Sequence, residues 1–358
     1  MNRITTILIT LGLVLFVIIP SCKKDARPDN QSILSNHHDE GRLESMKTLL
    51  VKNLAASLGS TIGPGGDLFV PDPVAGSILC IDPKTGDYTT FASGLPKLIP
   101  AVGLGGVTDV TFIDGKAYAL VTVVDDPNLF PTGQVNGIYR IDGPNNFTII
   151  ANIGAFNVAH PPTGFDFFVS TGLSYAIQNY RGGFLVTDGH LNRVLYVTLE
   201  GNITILRQFN DIVPTGLAVS GSLVYMCEAG PVPHLPENGK VVSFSSNSPT
   251  VTTVASGAPL VVDVERGRGQ ELFALSQGTF GGGDPGSPAL PNTGSLVKVN
   301  TDGTFSVIAD KLDRPTSFEI VKNTAYIVTL AGEIWTVDDI AGPPFGRAHQ
   351  KHLLHGHN

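Results

Sequence analysis

The stretch "GSLVKVNTDGTFSVIADKL", Gly294 to Leu312, holds two alternating apolar runs around a turn built on Asp302 and Gly303. Alternation over a short run sends apolar side chains to one side of a strand, and Asp-Gly supplies the reversal. The segment therefore reads as a β-hairpin. A matching phrase occurs as "NRVLYVTLEGNITILRQF", Asn192 to Phe209, and again as "GSILCIDPKTGDYTTFASGL", Gly76 to Leu95. A hairpin that recurs along a chain is part of a repeated unit, and its spacing sets the architecture.

Each unit continues on both sides of the hairpin. A second strand precedes it in every copy: "GGDLFV" (65–70), "GKAYAL" (115–120), "GGFLVT" (182–187), "GSLVYM" (221–226), "QELFAL" (270–275) and "NTAYIV" (323–328). An inner strand precedes each of these across a short turn such as "IDG" or "VSG". Third strands follow as "SILCID", "GIYRID", "RVLYVT", "KVVSFS", "SLVKVN" and "EIWTVD". Outer strands follow in only five units, as "YTTFAS", "FTIIAN", "ITILRQ", "VTTVAS" and "FSVIAD". The sixth unit ends at Val337, before an outer strand can form. The missing piece stands at the front as "MKTLLVKNL", Met46 to Leu54. The pattern predicts an all-β, six-bladed β-propeller closed by an N-terminal outer strand, spanning residues 46–340. A β-sandwich accounts less well for six matching units and an offset terminus.

The composition agrees. In 358 residues there are 41 Gly and 25 Pro, while charged residues make up only 15 %, which suits short strands and turns rather than helical bundles. The formal net charge is −8 with no Lys/Arg run, so nucleic acid is not an expected partner.

The first residues read as an export signal. Arg3 precedes an apolar run from Ile7 to Ile19, too short to cross a bilayer. The run stops at Ile19-Pro20-Ser21-Cys22, followed by Lys23-Lys24-Asp25, which resembles the start of a Bacteroidetes-type lipoprotein. The expected division is a lipoprotein signal peptide (1–21), a flexible tether (22–45), the propeller and a His-rich C-terminal tail (341–358). Lipid on Cys22 would anchor the chain to a membrane in the cell envelope, outer membrane or periplasm-facing, without a spanning helix. Cys80 and Cys227 sit in strand-like runs of different units and are expected as unpaired core residues.

Other phrases carry a family likeness: "FASGLP", "GVTDVTFIDGKAYALV", "GIYRIDGPNNFTIIANIGAF", "GGFLVTDG", "VPTGLAV" and "GTFSVIADKLDRPTSFEIV". On these the chain resembles the ScyD/ScyE family, and "LVTDGHLNRVLYV" is similar to an NHL repeat. The resemblance spans nearly all of residues 76–337. It implies a six-bladed propeller associated with secondary-metabolite chemistry, and brings no catalytic motif with it. The third unit begins "LSYAIQ" where the family pattern is Pro-Tyr-Gly.

The long irregular segments, 123–136, 229–239 and 276–293, join second to third strands, and 154–172 joins one unit to the next. Both kinds of connection emerge on one face of a propeller, here called the upper face. Function usually sits on loops held by a rigid scaffold. Alignment on the second strands puts Ser60, Asp109, Ala176, Gly216, Asp263 and Ser317 at one position near the start of each inner strand. These six would ring the channel mouth. Asp109 and Asp263 fall in opposite units, where two carboxylates could hold Ca²⁺ or Mg²⁺. Asp at such a position equally serves nearby backbone N–H groups, and that reading is preferred. Asp72, Asp188 and Glu228 share a position just past the second strand and are expected on the upper face. Glu265 and Glu319, two residues beyond the ring, are candidate buried carboxyls. His160 and His234 fall in upper-face loops, where solvated side chains are the usual outcome. The Gly-rich "GGGDPG", 281–286, reads as a flexible upper-face loop.

No G-x-S-x-G, H-E-x-x-H, P-loop or Rossmann fingerprint is present. The sequence therefore points first to a propeller that binds a small molecule or protein partner on its upper face. The alternative is a metal-assisted hydrolase or lactonase working in the channel.

Overall fold

The computed structural model describes residues 47–342. The signal segment, Cys22, the tether with Met46, and the His-rich tail beyond Gly342 lie outside the described residues. The chain opens with β1 (Lys47–Val51). Blade one follows as β2 (Thr61–Ile62), β3 (Leu68–Asp72), β4 (Ser77–Ile81) and β5 (Tyr88–Ala92). Blade two is β6 (Gly106–Ile113), β7 (Lys116–Thr122), β8 (Gly137–Gly143) and β9 (Asn146–Asn152). A short helix, α1 (Ile153–Ala159), capped by the Asn152 side chain, leads to blade three. That blade is β10 (Ser174–Tyr180), β11 (Gly183–Asp188), β12 (Arg193–Val197) and β13 (Ile203–Gln208). Blade four is β14 (Pro214–Ser220), β15 (Leu223–Glu228), β16 (Lys240–Ser245) and β17 (Val251–Ser256). Blade five is β18 (Val261–Arg266), β19 (Leu272–Ser276), β20 (Gly294–Val299) and β21 (Phe305–Leu312). Blade six has β22 (Pro315–Val321), β23 (Thr324–Thr329) and β24 (Ile334–Val337) of its own.

These strands form six four-stranded antiparallel sheets, the sixth in the order β1-β24-β23-β22. The expected closure is therefore observed. Lys47 pairs with Val337, Thr48 with Thr336, Leu49 with Trp335 and Val51 with Ile334. Two glycines let the borrowed strand seat. A Cβ on Gly332 would collide with the Leu54 carbonyl, and one on Gly86, in the β4–β5 turn of blade one, with the Leu50 carbonyl. The Lys47 ammonium donates to the carbonyls of Asp310 (2.7 Å) and Lys311 (2.6 Å), tying β1 to blade five as well.

The core lies between neighbouring blades. Blades one and two join where Phe69 meets Phe91 edge-on, with centroids 5.0 Å apart, and Phe112 at 4.8 Å. Blades five and six join around Phe273, Leu296, Phe318 and Ile327, all fully buried. Cys80 and Cys227 are both free, and Cys227 is buried in the blade four–five core. Ile340 and Ala341 continue past β24 into the blade five–six core, with the Ala341 N–H donating to Asn323. Among the described residues no helix is long and apolar enough to cross a membrane.

One irregularity positions the site. In blades two to six the inner strand shifts register against the second strand close to its start. The shifts fall between Val107 and Asp109, Ser174 and Ile177, Pro214 and Leu217, Val261 and Asp263, and Pro315 and Ser317. A bulge re-aims the side chain at its extra residue. At or next to each shift one residue, Asp109, Ala176, Gly216, Asp263 or Ser317, lines the channel.

Phe318→Ala should therefore cost about 3–5 kcal/mol in urea unfolding, the range for emptying a packed aromatic site. A loss below about 1 kcal/mol would mean that blades five and six do not meet through this ring.

Candidate functional site

The six aligned ring residues do come together. Ser60, Asp109, Ala176, Gly216, Asp263 and Ser317 all line one cavity at the upper part of the channel. Glu265, Glu319, Gln178 and Tyr175 complete its polar wall. The cavity is small, about 30 Å³. That is room for roughly two water molecules, since each needs about 10–15 Å³.

The two aspartates are occupied by the backbone. Asp109 accepts from its neighbour Val110 N–H (2.8 Å) and, through Oδ2, from Ile177 N–H of blade three (2.8 Å). Asp263 repeats this with Val264 N–H (2.9 Å) and Phe318 N–H of blade six (2.9 Å). The preceding blade gives way in both cases. A Cβ on Gly59 would collide with Asp109 Oδ1, and one on Gly216 with Asp263 Oδ1. The same three-part device thus links blades one, two and three, and again four, five and six. Gly216, which offers no ligand atom, is at the ring so that Asp263 has space. Hydroxyls link other blades: Thr215 Oγ1 donates to Val261 O (3.0 Å), Thr316 Oγ1 to Ser57 O (2.7 Å), and Ser60 Oγ meets Ser317 Oγ at 2.8 Å.

Below the aspartates the channel is acidic without compensation. Asp109, Asp263, Glu265 and Glu319 all line the cavity, and no Lys, Arg or His does. Burial raises all four carboxyls above their ordinary range. Mutual repulsion adds to it, from Glu319 on Glu265 and from Asp263 on Glu319. Like charges in a confined site retain protons to relieve the repulsion. Among the described residues no group of three or more His, Cys, Asp or Glu side chains is arranged to hold a metal ion.

Tyr175 is the residue that the sequence reading missed. Its hydroxyl crosses the channel from blade three to donate to Thr316 O of blade six (3.1 Å). It stands one position before the ring residue Ala176 in "LSYAIQ", and that place beside the ring was the available signal. The Gly-rich segment also does more than wander. It is pinned by the bridge between Phe280 and Ala289 and by Leu290 N–H to Thr279 O (2.8 Å). It reaches from blade five to the blade one–two connection, where a Cβ on Gly286 would sit 4.0 Å from Leu104 Cδ1.

Asp72, Asp188 and Glu228 end their second strands rather than follow them, at the upper edge as expected. Asp72 Oδ1 accepts from Ala75 N–H (2.8 Å). Asp188 Oδ1 accepts from Leu173, His190 and Leu191 N–H, and its Oδ2 from Asn157 Nδ2 (2.8 Å). Both act as turn acceptors. Glu228 differs: it is buried, burial raises it to about 7, and nearby Lys240 opposes the rise. His160 is exposed and stacks on Phe156, as expected of a loop histidine. His234 is not solvated. It is buried, bonded through Nδ1 to Ala229 O (3.2 Å) and set edge-on to Phe280, because the 229–239 loop folds back over the blade four–five core.

No family model matches the chain, and no curated protein matches it. Solved structures do. A gluconolactonase from Xanthomonas campestris is 12 % identical, with a TM-score of 0.55 over 82 % of this chain and 89 % of that one. The PQQ-bound aldose sugar dehydrogenase from Streptomyces coelicolor is 13 % identical, TM-score 0.54, over 82 % and 98 %. Virginiamycin B lyase from Staphylococcus aureus is 14 % identical, TM-score 0.50, over 82 % and 98 %. At these identities the likeness is one of fold: the chain is a six-bladed β-propeller.

Two outcomes test the site. Asp109→Ala strands two buried N–H groups and should cost about 2–6 kcal/mol, at about 1–3 kcal/mol for each buried group left unpaired. A neutral result would show that the inter-blade bonds are dispensable. A carboxyl raised in the folded state stabilises below its unfolded value, and this contribution is lost as pH rises through the folded value. Glu319 has no hydrogen bond to lose, so Glu319→Gln should raise the melting temperature near pH 8 and leave it almost unchanged near pH 4, below the value of a free Glu. Equal shifts at both values would contradict a strained channel carboxyl.

Proposed function

We propose that this chain is a non-catalytic binding propeller of the ScyD/ScyE type, lipid-anchored through Cys22 outside the cytoplasm, holding a partner on its upper face. The observation carrying this reading is the distribution of exposed apolar side chains. Val74, Val102, Leu129 and Phe168 stand on upper-face connections, as do Val158, Val232, Leu235 and Leu290. The remaining large exposed ones, such as Tyr88 and Ile149, are on outer strands, and among the described residues none lies on a lower-face turn. Exposed apolar side chains confined to one end of the propeller and its outer strands are the groups that a partner docking on the upper face would cover. Exposed Asp166, Asp211, Glu237 and Asp284 share that face with two exposed lysines in its loops, Lys52 and Lys97.

The alternative, a Ca²⁺- or Mg²⁺-assisted hydrolase or lactonase in the channel, draws support from the four converging carboxyls. Against it stand the cavity of about 30 Å³, the Tyr175 bar across it and the backbone bonds that occupy Asp109 and Asp263.

A photo-crosslinking side chain at Phe168 should capture one discrete partner in cells, while the same group at lower-face Asp302 captures none. Equal labelling from both positions would refute an upper-face site. In the same preparation Ca²⁺ and EDTA should leave the melting temperature unmoved. A Ca²⁺-dependent rise that Asp109→Ala abolishes would transfer the function to the channel, since a ligand bound only to the folded state raises stability by mass action. Radioactive palmitate should label the wild type and not Cys22→Ser, and equal label would remove the anchor.

A further inference from the structure

The most exposed large apolar side chain among the described residues, Phe168 at 58 %, is held by an unusual bond. Its own N–H and that of Val169 both point at one atom, Nε2 of His190, each at 3.0 Å. The Phe168 ring then meets the imidazole edge-on, with centroids 4.4 Å apart. Two donors on one ring nitrogen require that nitrogen to carry a lone pair, so the imidazole must be neutral with its proton on Nδ1. A proton on Nε2 removes the acceptor and puts three N–H groups face to face.

The rest of the segment is tied by groups of a different kind. Asp126, on the β7–β8 connection, accepts from Ser170 Oγ (2.8 Å) and Thr171 N–H (3.2 Å). Burial pushes against its ionised form, but these bonds and those from Asn128 and Leu129 hold it below the usual carboxylate range. Asp188 accepts from Leu173 N–H (3.1 Å). At the other end, Arg193 Nη1 donates to His160 O (2.8 Å) and Nη2 to Asn157 Oδ1 (2.6 Å). Of the groups that tie the segment, the imidazole is the one whose ordinary value lies between about pH 5 and 8.

We propose that His190 is a pH-sensitive latch on the upper-face segment 164–169, and that protonation of Nε2 releases the segment and withdraws Phe168 from its fixed place. The charged groups around the ring are accounted for. Asp188, on the same turn, and Asp126, from the β7–β8 connection, favour the imidazolium. Arg193 stands opposite Asp188 in the β11–β12 register, and Asp166 rides on the latched segment itself. Burial outweighs the two carboxylates and lowers the imidazole below its ordinary value. The sign follows. The neutral ring's contribution is complete above about pH 6.5 and is lost as pH falls through the lowered folded value. The latch regulates the upper-face site proposed above and depends on that reading only for its consequence. The bond itself does not.

The test is hydrogen exchange in the whole protein, with protection corrected for intrinsic rates. Amides 168 and 169 should lose about tenfold protection for each pH unit from about 6.5 down to the lowered folded value, and no more below it. The strands of blade three should keep theirs. His190→Gln offers an acceptor that does not titrate, and His190→Ala offers none. In both variants the protection of these amides should be independent of pH, and His190→Ala should be unprotected throughout. At neutral pH the ¹⁵N shift of His190 Nε2 should be that of an unprotonated acceptor. Unchanged wild-type protection between about pH 7.5 and 5, or a pH dependence that survives His190→Gln, would overturn the latch. Either result leaves the crosslinking test of the upper face untouched. Loss of the crosslink with an intact pH response would sink the binding site and spare the latch.

Discussion

The whole molecule depends on one strand arriving from the wrong end of the chain. Blade six has three strands of its own, and β24 would otherwise present an open edge of unpaired N–H and C=O groups. β1 covers that edge and buries Val51 against Leu68, Val70 and Ile334, so the first and last parts of the propeller share one core. In a ring each blade packs on two others, and an unclosed sixth blade loosens the first as well. The glycines at 86 and 332 exist to let this strand come close. Their side chains would occupy the space of its carbonyls.

Closure of the ring turns six inner strands toward a common axis, and the bulges decide what they show there. The two aspartates at the ring spend their charge on backbone N–H groups of the next blade. The arrangement Gly59–Asp109–Ile177 is repeated as Gly216–Asp263–Phe318, so the channel carries an approximate two-fold pattern within its six-fold frame. This explains a propeller whose channel is strongly acidic yet narrow. Asp109 and Asp263 serve as inter-blade fasteners, Tyr175 spans the bore, and the Gly-rich segment reaches across to Leu104. The open chemistry is displaced to the loops, where apolar side chains and acids meet solvent.

Fold and ring were legible in the sequence because both follow from local period. Alternation, Asp-Gly turns and the count of second strands gave the blades, and alignment on those strands found all six ring residues. What stayed hidden depends on contacts far apart in the chain. Nothing near Tyr175 announces that its hydroxyl ends on Thr316, and nothing near His234 announces Phe280 above it. The helix α1 was missed because a seven-residue stretch carries too little period to stand out inside a long connection. The His190 bond was invisible for the same reason: its donors are about twenty residues upstream, in a segment with no pattern of its own.

The chain has a single tryptophan, Trp335, and it sits where the closing strand lands, paired with Leu49 and beneath the Lys47 ammonium at 5.2 Å. Its fluorescence therefore reports the closure directly. In a chain lacking residues 1–51, emission should shift to the red, quenching by acrylamide should rise, and a peptide of residues 47–54 should reverse both. If emission, quenching and the unfolding midpoint all match those of the full chain, the ring is not closed by its beginning, and the account of this protein fails at its foundation.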